Sequence, residues 1–452
     1  MPAREANDVR GDRAQDGQRA GDGDPVRALQ RKLYRAAKQS PGRRFHALFD
    51  KVHRKDVLWA AWFQVARNRG APGVDGVSIQ AVEQQGEGAF LDELQAELRQ
   101  GRYRPLPVRR VTIPKRQGGE RQLGVPALRD RVVQAAWKLV CEPIFEAGFA
   151  DVSFGFRPRR SAHQARERIR TGLRKGRRWV VDADIKGFFD HLDQRELLAM
   201  LGERISDRRV VELAAGWLRA GVLAGEQLLH PEAGTPQGGV ASPLLANVYL
   251  DRLDQAWQAD YWRFGELTRY ADDLVIVCPT RQQAEAALAA LRQLLCELGL
   301  ELAAAKTRIV DLRTPSQGFD FLGYHFRVVP TGRDPRRKFA ACWPSRSAVA
   351  AARDRIRALT PLERIGLPAI MVVEEVNRFL RGWGAYFRHG NSTRQFKQLD
   401  QFVFDRLARF IARKHGSRNW RRGKADLIES QTTLGLYRLA GTVRHVPAHA
   451  TR

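Results

Sequence analysis

Two clusters of aspartate stand at the ends of apolar, β-prone runs. Trp179 to Ile185 leads into Asp182-Ala183-Asp184-Ile185-Lys186-Gly187-Phe188-Phe189-Asp190, and Tyr270-Ala271-Asp272-Asp273 precedes Leu274-Val275-Ile276-Val277. Period two puts Asp182 and Asp184 on the same side of a strand, so alternation does not choose between them. Adjacent acids at a hairpin turn, backed by a buried strand, are electrostatically costly without a cation. Paired carboxylates from two strands are what Mg²⁺-dependent phosphoryl transfer requires: one metal activates the attacking hydroxyl, and a second holds the phosphates and the leaving oxygen. The same residues also fit a bland pattern, a solvated turn at Asp272-Asp273 and a helix cap at Asp184.

Two further segments carry special chemistry. Gly234-Thr235-Pro236-Gln237-Gly238-Gly239 precedes Ser242-Pro243 and an apolar helix. Such a loop lets backbone approach a phosphate or a base pair closely, or is an ordinary turn; it is not a P-loop, because no Lys-Ser/Thr follows the glycines. Residues 108–125 read as a hairpin around Gly118-Gly119, and Arg109, Arg110, Lys115, Arg116 and Arg121 make it strongly basic. It could clamp a triphosphate or simply be a charged, exposed hairpin.

The elements that must position these residues alternate irregularly. Val26 to Arg69 and Phe90 to Gln100 read as helical, as does Ala127 to Phe145 after the hairpin. The β-prone run at 179–185 is followed by helices at 195–201, 209–218 and 244–257. Strand, turn and strand at 268–278 come next, then a long amphipathic helix at 282–298 and a β-prone stretch at 319–329. This order favours α+β over a doubly wound sheet. After about residue 345 only helices follow, at 345–359, 369–388 and 393–415. In the last, Arg406, Arg409 and Arg413 form a basic stripe beside Leu399, Val403, Leu407 and Phe410, either an RNA-backbone surface or a solvated helix face.

Composition narrows the partners. The 452 residues carry 77 Lys and Arg against 50 Asp and Glu, a net +27, with 43% hydrophobic residues. That excludes wholesale disorder, implies two or three structural units at roughly 100–200 residues each, and points to a polyanion. Residues 346–452 hold 21 basic and 8 acidic residues. Residues 1–25, with 4 basic and 6 acidic residues, read as a disordered leader without a secretory signal. No apolar run approaches the ~20 residues of a membrane span, and Cys141, Cys278, Cys296 and Cys342 lie too far apart for a zinc module or disulfide framework.

Taken in order, these segments resemble the group II intron-encoded reverse transcriptases with maturase activity, in an endonuclease-lacking form. The matching residues begin with Ala71-Pro72-Gly73-Val74-Asp75-Gly76, Ile113-Pro114-Lys115, Arg121 to Pro126, Leu128 to Gln134 and Glu142 to Phe145. They continue with Ser153-Phe154-Gly155-Phe156-Arg157-Pro158, Asp184 to Asp190, Gly234 to Tyr249, Tyr270 to Asp273, Lys306-Thr307 and Phe321 to Tyr324.

The resemblance implies a right-hand polymerase of fingers, palm and thumb, with an all-helical basic C-terminal thumb/maturase region. Its parts would be a leader at 1–25, fingers and palm at 26–335, thumb/maturase at 336–415 and a short basic tail at 416–452. It implies an RNA-directed DNA polymerase that binds group II intron RNA and assists splicing and target-primed retrohoming. Two alternatives remain: a reverse transcriptase recruited to host defence or repair, and a non-enzymatic splicing factor. Asp184, Asp272 and Asp273 match the catalytic acids, and Asp184 and Asp272 the principal Mg²⁺ ligands, with the Ile185 carbonyl a further contact and Asp182 either supporting those ligands from behind or structural. Phe189 matches a steric gate against a ribose 2′-hydroxyl. Lys115 and Arg121 match contacts to the incoming deoxynucleoside triphosphate, Gln237 a contact near the nascent base pair, and Lys306 a lysine near pyrophosphate. Partners would be intron RNA, an RNA template with DNA primer, and target DNA, in a cytoplasmic ribonucleoprotein, with neither membrane nor zinc.

Overall fold

The computed structural model describes residues 23–114, 120–225, 227–229, 233–235, 238–331, 334, 336–416 and 435–444. The first helix, α1 (Pro25–Gln39), starts where Asp24 accepts the Val26 and Arg27 amides and Pro25 supplies a preset φ. It is followed by α2 (Phe49–Val52), α3 (Lys55–Arg67), α4 (Ile79–Gln85) and α5 (Glu87–Arg99). Strands β1 (Val108–Pro114) and β2 (Glu120–Val125) pair antiparallel from Arg109↔Val125 to Pro114↔Glu120, as the hairpin pattern predicts. Then come α6 (Leu128–Glu146) and α7 (Ala162–Arg174). Pattern alone leaves α7 unassigned, yet its start is written in Ser161 and Gln164, which form a reciprocal capping box.

Strand β3 (Trp179–Asp184) precedes α8 (Phe188–His191), α9 (Gln194–Arg204) and α10 (Arg208–Arg219). A small hairpin, β4 (Val222–Ala224) and β5 (Gln227–Leu229), joins β1 to make the order β2-β1-β4-β5. After α11 (Ser242–Ala256) come β6 (Glu266–Tyr270), β7 (Asp273–Cys278), α12 (Arg281–Glu297) and β8 (Arg308–Asp311), which build the central sheet β6-β7-β3-β8. The stretch at 319–329 is not one strand. Leu322 and Gly323 both take positive φ and fold it into β9 (Phe319–Phe321) and β10 (Tyr324–Pro330). Strand β11 (Lys338–Pro344) pairs with β10 along its whole length, so a boundary at 335/336 would divide a hairpin. The helical region starts later, with α13 (Arg346–Leu359), α14 (Ala369–Phe387) and α15 (Thr393–Lys414).

Alternation along the central strands separates two cores. Val181, Ala183, Leu274 and Ile276 face one, with α11 and α12; Val180, Val275 and Val277 face the other, with α7, the β9–β11 sheet and the C-terminal helices. This is an α+β arrangement whose central sheet is covered on both faces. Residues 435–444, expected as part of a short basic tail, fold back onto the helices. Leu439 is fully buried, Asp400 accepts the Leu439 and Ala440 amides, and Asn377 bonds both Gly435 and Tyr437. The remaining tail residues, 417–434 and 445–452, and the leader at 1–22 lie outside the described residues. Among the described residues no helix is long and apolar enough to cross a membrane, and the four cysteines are unpaired.

Candidate active site

Register places the acids. Asp184 is the direct cross-strand partner of Asp273, as Asp182 is of Val275 and Val180 of Val277. One face of the sheet therefore runs from buried valines to carboxylates, and the acids emerge beyond the reach of the second core. Tyr270 is in turn opposite Asp273, so Tyr270, Asp273 and Asp184 form a row across β6, β7 and β3. Asp272 lies in the two-residue turn between Tyr270 and Asp273. Ala271 takes φ +57° there, a conformation that hairpin turns usually assign to glycine.

A buried network holds this turn. Arg269, 1% exposed, donates to both carboxylate oxygens of Asp254 and to Asn247 Oδ1, and its Nη1 reaches the Ala271 carbonyl at 3.0 Å. Its backbone is fixed by Val152 and Phe154, at 2.8 and 2.9 Å. Gly155 packs so closely that a Cβ would stand 2.4 Å from the Ala271 nitrogen, while Asn247 Nδ2 donates to the Gly155 carbonyl. None of Arg269, Asp254 and Asn247 was singled out by motif. The available signal was Arg269 itself, a charge two residues after Leu267 on the core-facing side of a strand, where only a paired ion is tolerated.

On the other side of the row, segment 301–308 supplies cations. Lys306 Nζ reaches Asp184 Oδ2 at 2.5 Å, and Arg308 Nε reaches Asp182 Oδ2 at 3.2 Å. Asp182 is thus tied to a strand neighbour. Ile185 forms a bridge with Leu302, bounded by the bonds Lys186 N–H to Glu301 O and Ala303 N–H to Asp184 O. In that pairing the bonds belong to the flanking residues, so Ile185 turns its own carbonyl away from Leu302, toward the acid-bearing turn.

The electrostatics fit a cation site. Asp273 opens to solvent at the rim, yet its carboxyl is pushed up to about 7, first by desolvation and then by Asp272 and Asp184, with Lys306 pulling the other way. Lys306 is raised by its bond to Asp184. Three oxygen-donor acids at the rim with a surplus of negative charge suit a hard divalent ion. Among the described residues no three His, Cys, Asp or Glu side chains already close on a common point as a metal cage.

Phe189 follows β3 through the short helix α8 and lines a cavity of about 200 Å³ with Arg110, Gln122, Gly124, Gly234 and Thr235. The Gly-rich loop closes one side of it. A Cβ on Gly234 would stand 2.7 Å from the Phe189 carbonyl, and one on Gly238 2.6 Å from the Gly124 carbonyl, so these glycines serve contact between backbones. Gln237 and Lys115 lie outside the described residues, and of Arg121 only the backbone is described, paired with Ile113. Arg109 is engaged inside the fold, donating to the Pro72 carbonyl. In the C-terminal stripe the three arginines differ. Arg406 donates to the hydroxyl and carbonyl of Thr360, both at 2.9 Å, whereas Arg409 and Arg413 are exposed.

Residues 113–326 match the family described as "Reverse transcriptase (RNA-dependent DNA polymerase)", and residues 349–426 match "Group II intron, maturase-specific domain". The chain is 34% identical to Protein YkfC of Escherichia coli over 366 residues, covering 70% of this chain and 95% of that protein. It is 35% identical to the Group II intron-encoded protein LtrA of Lactococcus lactis over 232 residues, 51% of this chain but only 38% of LtrA. Among solved structures, a "Partial Cas6-RT-Cas1--Cas2 complex" is 26% identical with a TM-score of 0.36, covering 55% of this chain and 41% of that one.

Proposed function

The chain belongs to the group II intron-encoded reverse transcriptase/maturase family, and from that premise we propose that it copies RNA into DNA and serves an intron RNA as maturase. The observation that carries the reading is the row Tyr270, Asp273, Asp184, with Asp272 on the adjoining turn, inside the segment that matches reverse transcriptases. Within this proposal the fingers comprise α1–α6 and the β1–β2 hairpin, the palm the central sheet with its helices, and the thumb α13–α15. The match to a maturase-specific domain over the helical region favours an intron RNA partner over a role in defence or repair.

In the proposed reaction the primer 3′-hydroxyl forms a bond to the α-phosphorus of a deoxynucleoside triphosphate, and the α–β phosphoanhydride bond breaks to release pyrophosphate. Asp184, Asp272 and Asp273, with the Ile185 carbonyl, are the groups that would hold Mg²⁺. The ion would lower the pKa of the attacking hydroxyl and offset charge on the leaving oxygen. The chain's own part is positional. Phe189, half-buried against Phe188 at 5.1 Å, presents a fixed aromatic wall to the sugar of a nucleotide in the adjoining cavity. Arg269 and Gly155 fix the turn that carries Asp272. Lys115, Arg121 and Gln237 carry the triphosphate and nascent-pair contacts in this proposal, and Lys306 offers an ammonium beside the acids.

Asp272→Ala tests the reading. The variant should lose primer extension on an RNA template while binding structured RNA as the parent does. Extension persisting near the parental rate would overturn the site, and loss of RNA binding together with extension would show that the substitution acts through the fold.

A further inference from the structure

The loop Ser153–Pro158 has more structure than is needed to connect α6 to α7. Arg157, buried, donates from Nε and Nη2 to the two oxygens of Glu146 at 2.9 and 2.8 Å, and from Nη1 to the carbonyls of Ala150 and Ser153. Phe154 bonds Arg269, and Asn247 holds the Gly155 carbonyl. From this anchored base two side chains project outward. Phe156 is 49% exposed at φ +57°, and Arg159 is exposed at φ +60°. A left-handed conformation is rare for a bulky residue, and it persists only where the surroundings dictate it. The bonds at Arg157, Phe154 and Gly155 do so here, and their product is an aromatic ring and a guanidinium facing solvent three positions apart, with the buried Arg157 between them.

Their position gives the display a use. The Phe156 ring lies 6.3 Å from that of Tyr270, itself the cross-strand partner of Asp273. Phe156 thus extends the row Tyr270, Asp273, Asp184 at the β6 edge. A core-packing phenylalanine would not leave half its surface in water. A nucleic-acid duplex whose growing end lies at the acids presents, in this position, sugar and base edges to a ring and phosphate to a cation.

Resting on the polymerase reading, we propose that Phe156 and Arg159 form a contact for the primer–template duplex immediately behind the growing end: Phe156 against the sugar and base edge of one nucleotide, Arg159 against its phosphate. Both side chains can be removed without straining the chain, because glycine is the residue best suited to positive φ. Phe156→Gly and Arg159→Gly should therefore melt at or above the parental temperature.

The experiment measures affinity for an RNA-template/DNA-primer duplex across a salt series, together with single-nucleotide incorporation. Phe156→Gly should bind roughly ten-fold more weakly, about 1.4 kcal/mol, with an unchanged salt slope. Arg159→Gly should lower the slope of log affinity against log salt by about one. Abasic residues placed one to three positions behind the growing end, in the primer or in the template, identify the strand. At one position the parent should fall to the level of Phe156→Gly. Affinities of both variants within two-fold of the parent, or a Phe156→Gly defect undiminished at every abasic position, would overturn the contact. Failure of the parent itself to incorporate nucleotide would instead count against the polymerase reading, since the binding measurements are independent of turnover.

Discussion

Gly155→Ala probes how tightly the fold fixes the turn that carries Asp272. The added Cβ would meet the Ala271 nitrogen at 2.4 Å, the Tyr270 carbonyl carbon at 3.0 Å and the Ala271 Cα at 3.3 Å, where ordinary contact begins near 3.4 Å. All three are backbone atoms, so no side chain can swing aside. The loop cannot retreat freely either, since Asn247 holds the Gly155 carbonyl and Phe154 is bonded to Arg269. The turn must therefore yield by about 1 Å, and the residue after Ala271 is Asp272. A misplacement of about 1 Å in a reacting constellation costs on the order of 100-fold in rate, whereas the overpacking costs about 1–3 kcal/mol of stability. Single-turnover incorporation should fall by about two orders of magnitude while binding of primer–template changes little. Gly202→Ala in α9 is the control, because nothing stands within 4 Å of its Cβ and alanine favours a helix by about 0.5–1 kcal/mol. Incorporation by folded Gly155→Ala within three-fold of the parent would refute the argument that this contact positions the acids.

Phe189→Ala should narrow the preference for deoxy- over ribonucleoside triphosphates, measured as the ratio of incorporation efficiencies; an unchanged ratio would remove Phe189 from sugar selection. The arginines of α15 should separate into two kinds. Arg409→Ala and Arg413→Ala should each reduce the salt slope of RNA binding by about one with little effect on melting. Arg406→Ala should lower the melting temperature, because it removes two bonds to Thr360, and leave the slope as it was. Equal effects of all three on the slope would contradict the division drawn from their contacts.

Much of the site was legible because chemistry concentrates there in residue types that are costly elsewhere. Aspartates at the ends of apolar strands stand out from the pattern, and period two already put Asp182 and Asp184 on one face. What alternation could not supply was register. That Asp184 stands opposite Asp273, and that Asp182 is occupied by Arg308, depends on how β3 is flanked by β7 and β8, and β8 is too short to signal itself. The stripe of three arginines on α15 was legible only as spacing, in a related way. Helical spacing puts Arg406, Arg409 and Arg413 on one side, but only tertiary structure shows that Thr360, at the end of α13, occupies the first of them. The hairpin within 319–329 was hidden because Leu322 shares its positive φ with a glycine that strand patterns tolerate as a bulge. The signal for α7 lies in its Ser161/Gln164 capping box.

The distribution of charge explains why a protein with a net +27 has a negative centre. On the β8 side each acid has a cation: Asp182 has Arg308 and Asp184 has Lys306. These pairs let carboxylates stand on one strand face without expelling each other during folding, since a partly buried charge is tolerated when paired. On the β7 side Asp273 is pushed up to about 7, by desolvation first and then by Asp272 and Asp184, so the folded chain leaves a deficit of positive charge at the turn. Bringing a polyanionic duplex and a triphosphate against that turn deepens the deficit. Arg269, a buried cation bonded to the Ala271 carbonyl of that turn, is already paired with Asp254. The long-range field of the basic surface attracts the nucleic acid. The local deficit at Asp273, which Lys306 offsets only in part, then favours a small, hard cation that can sit between carboxylate and phosphate oxygens.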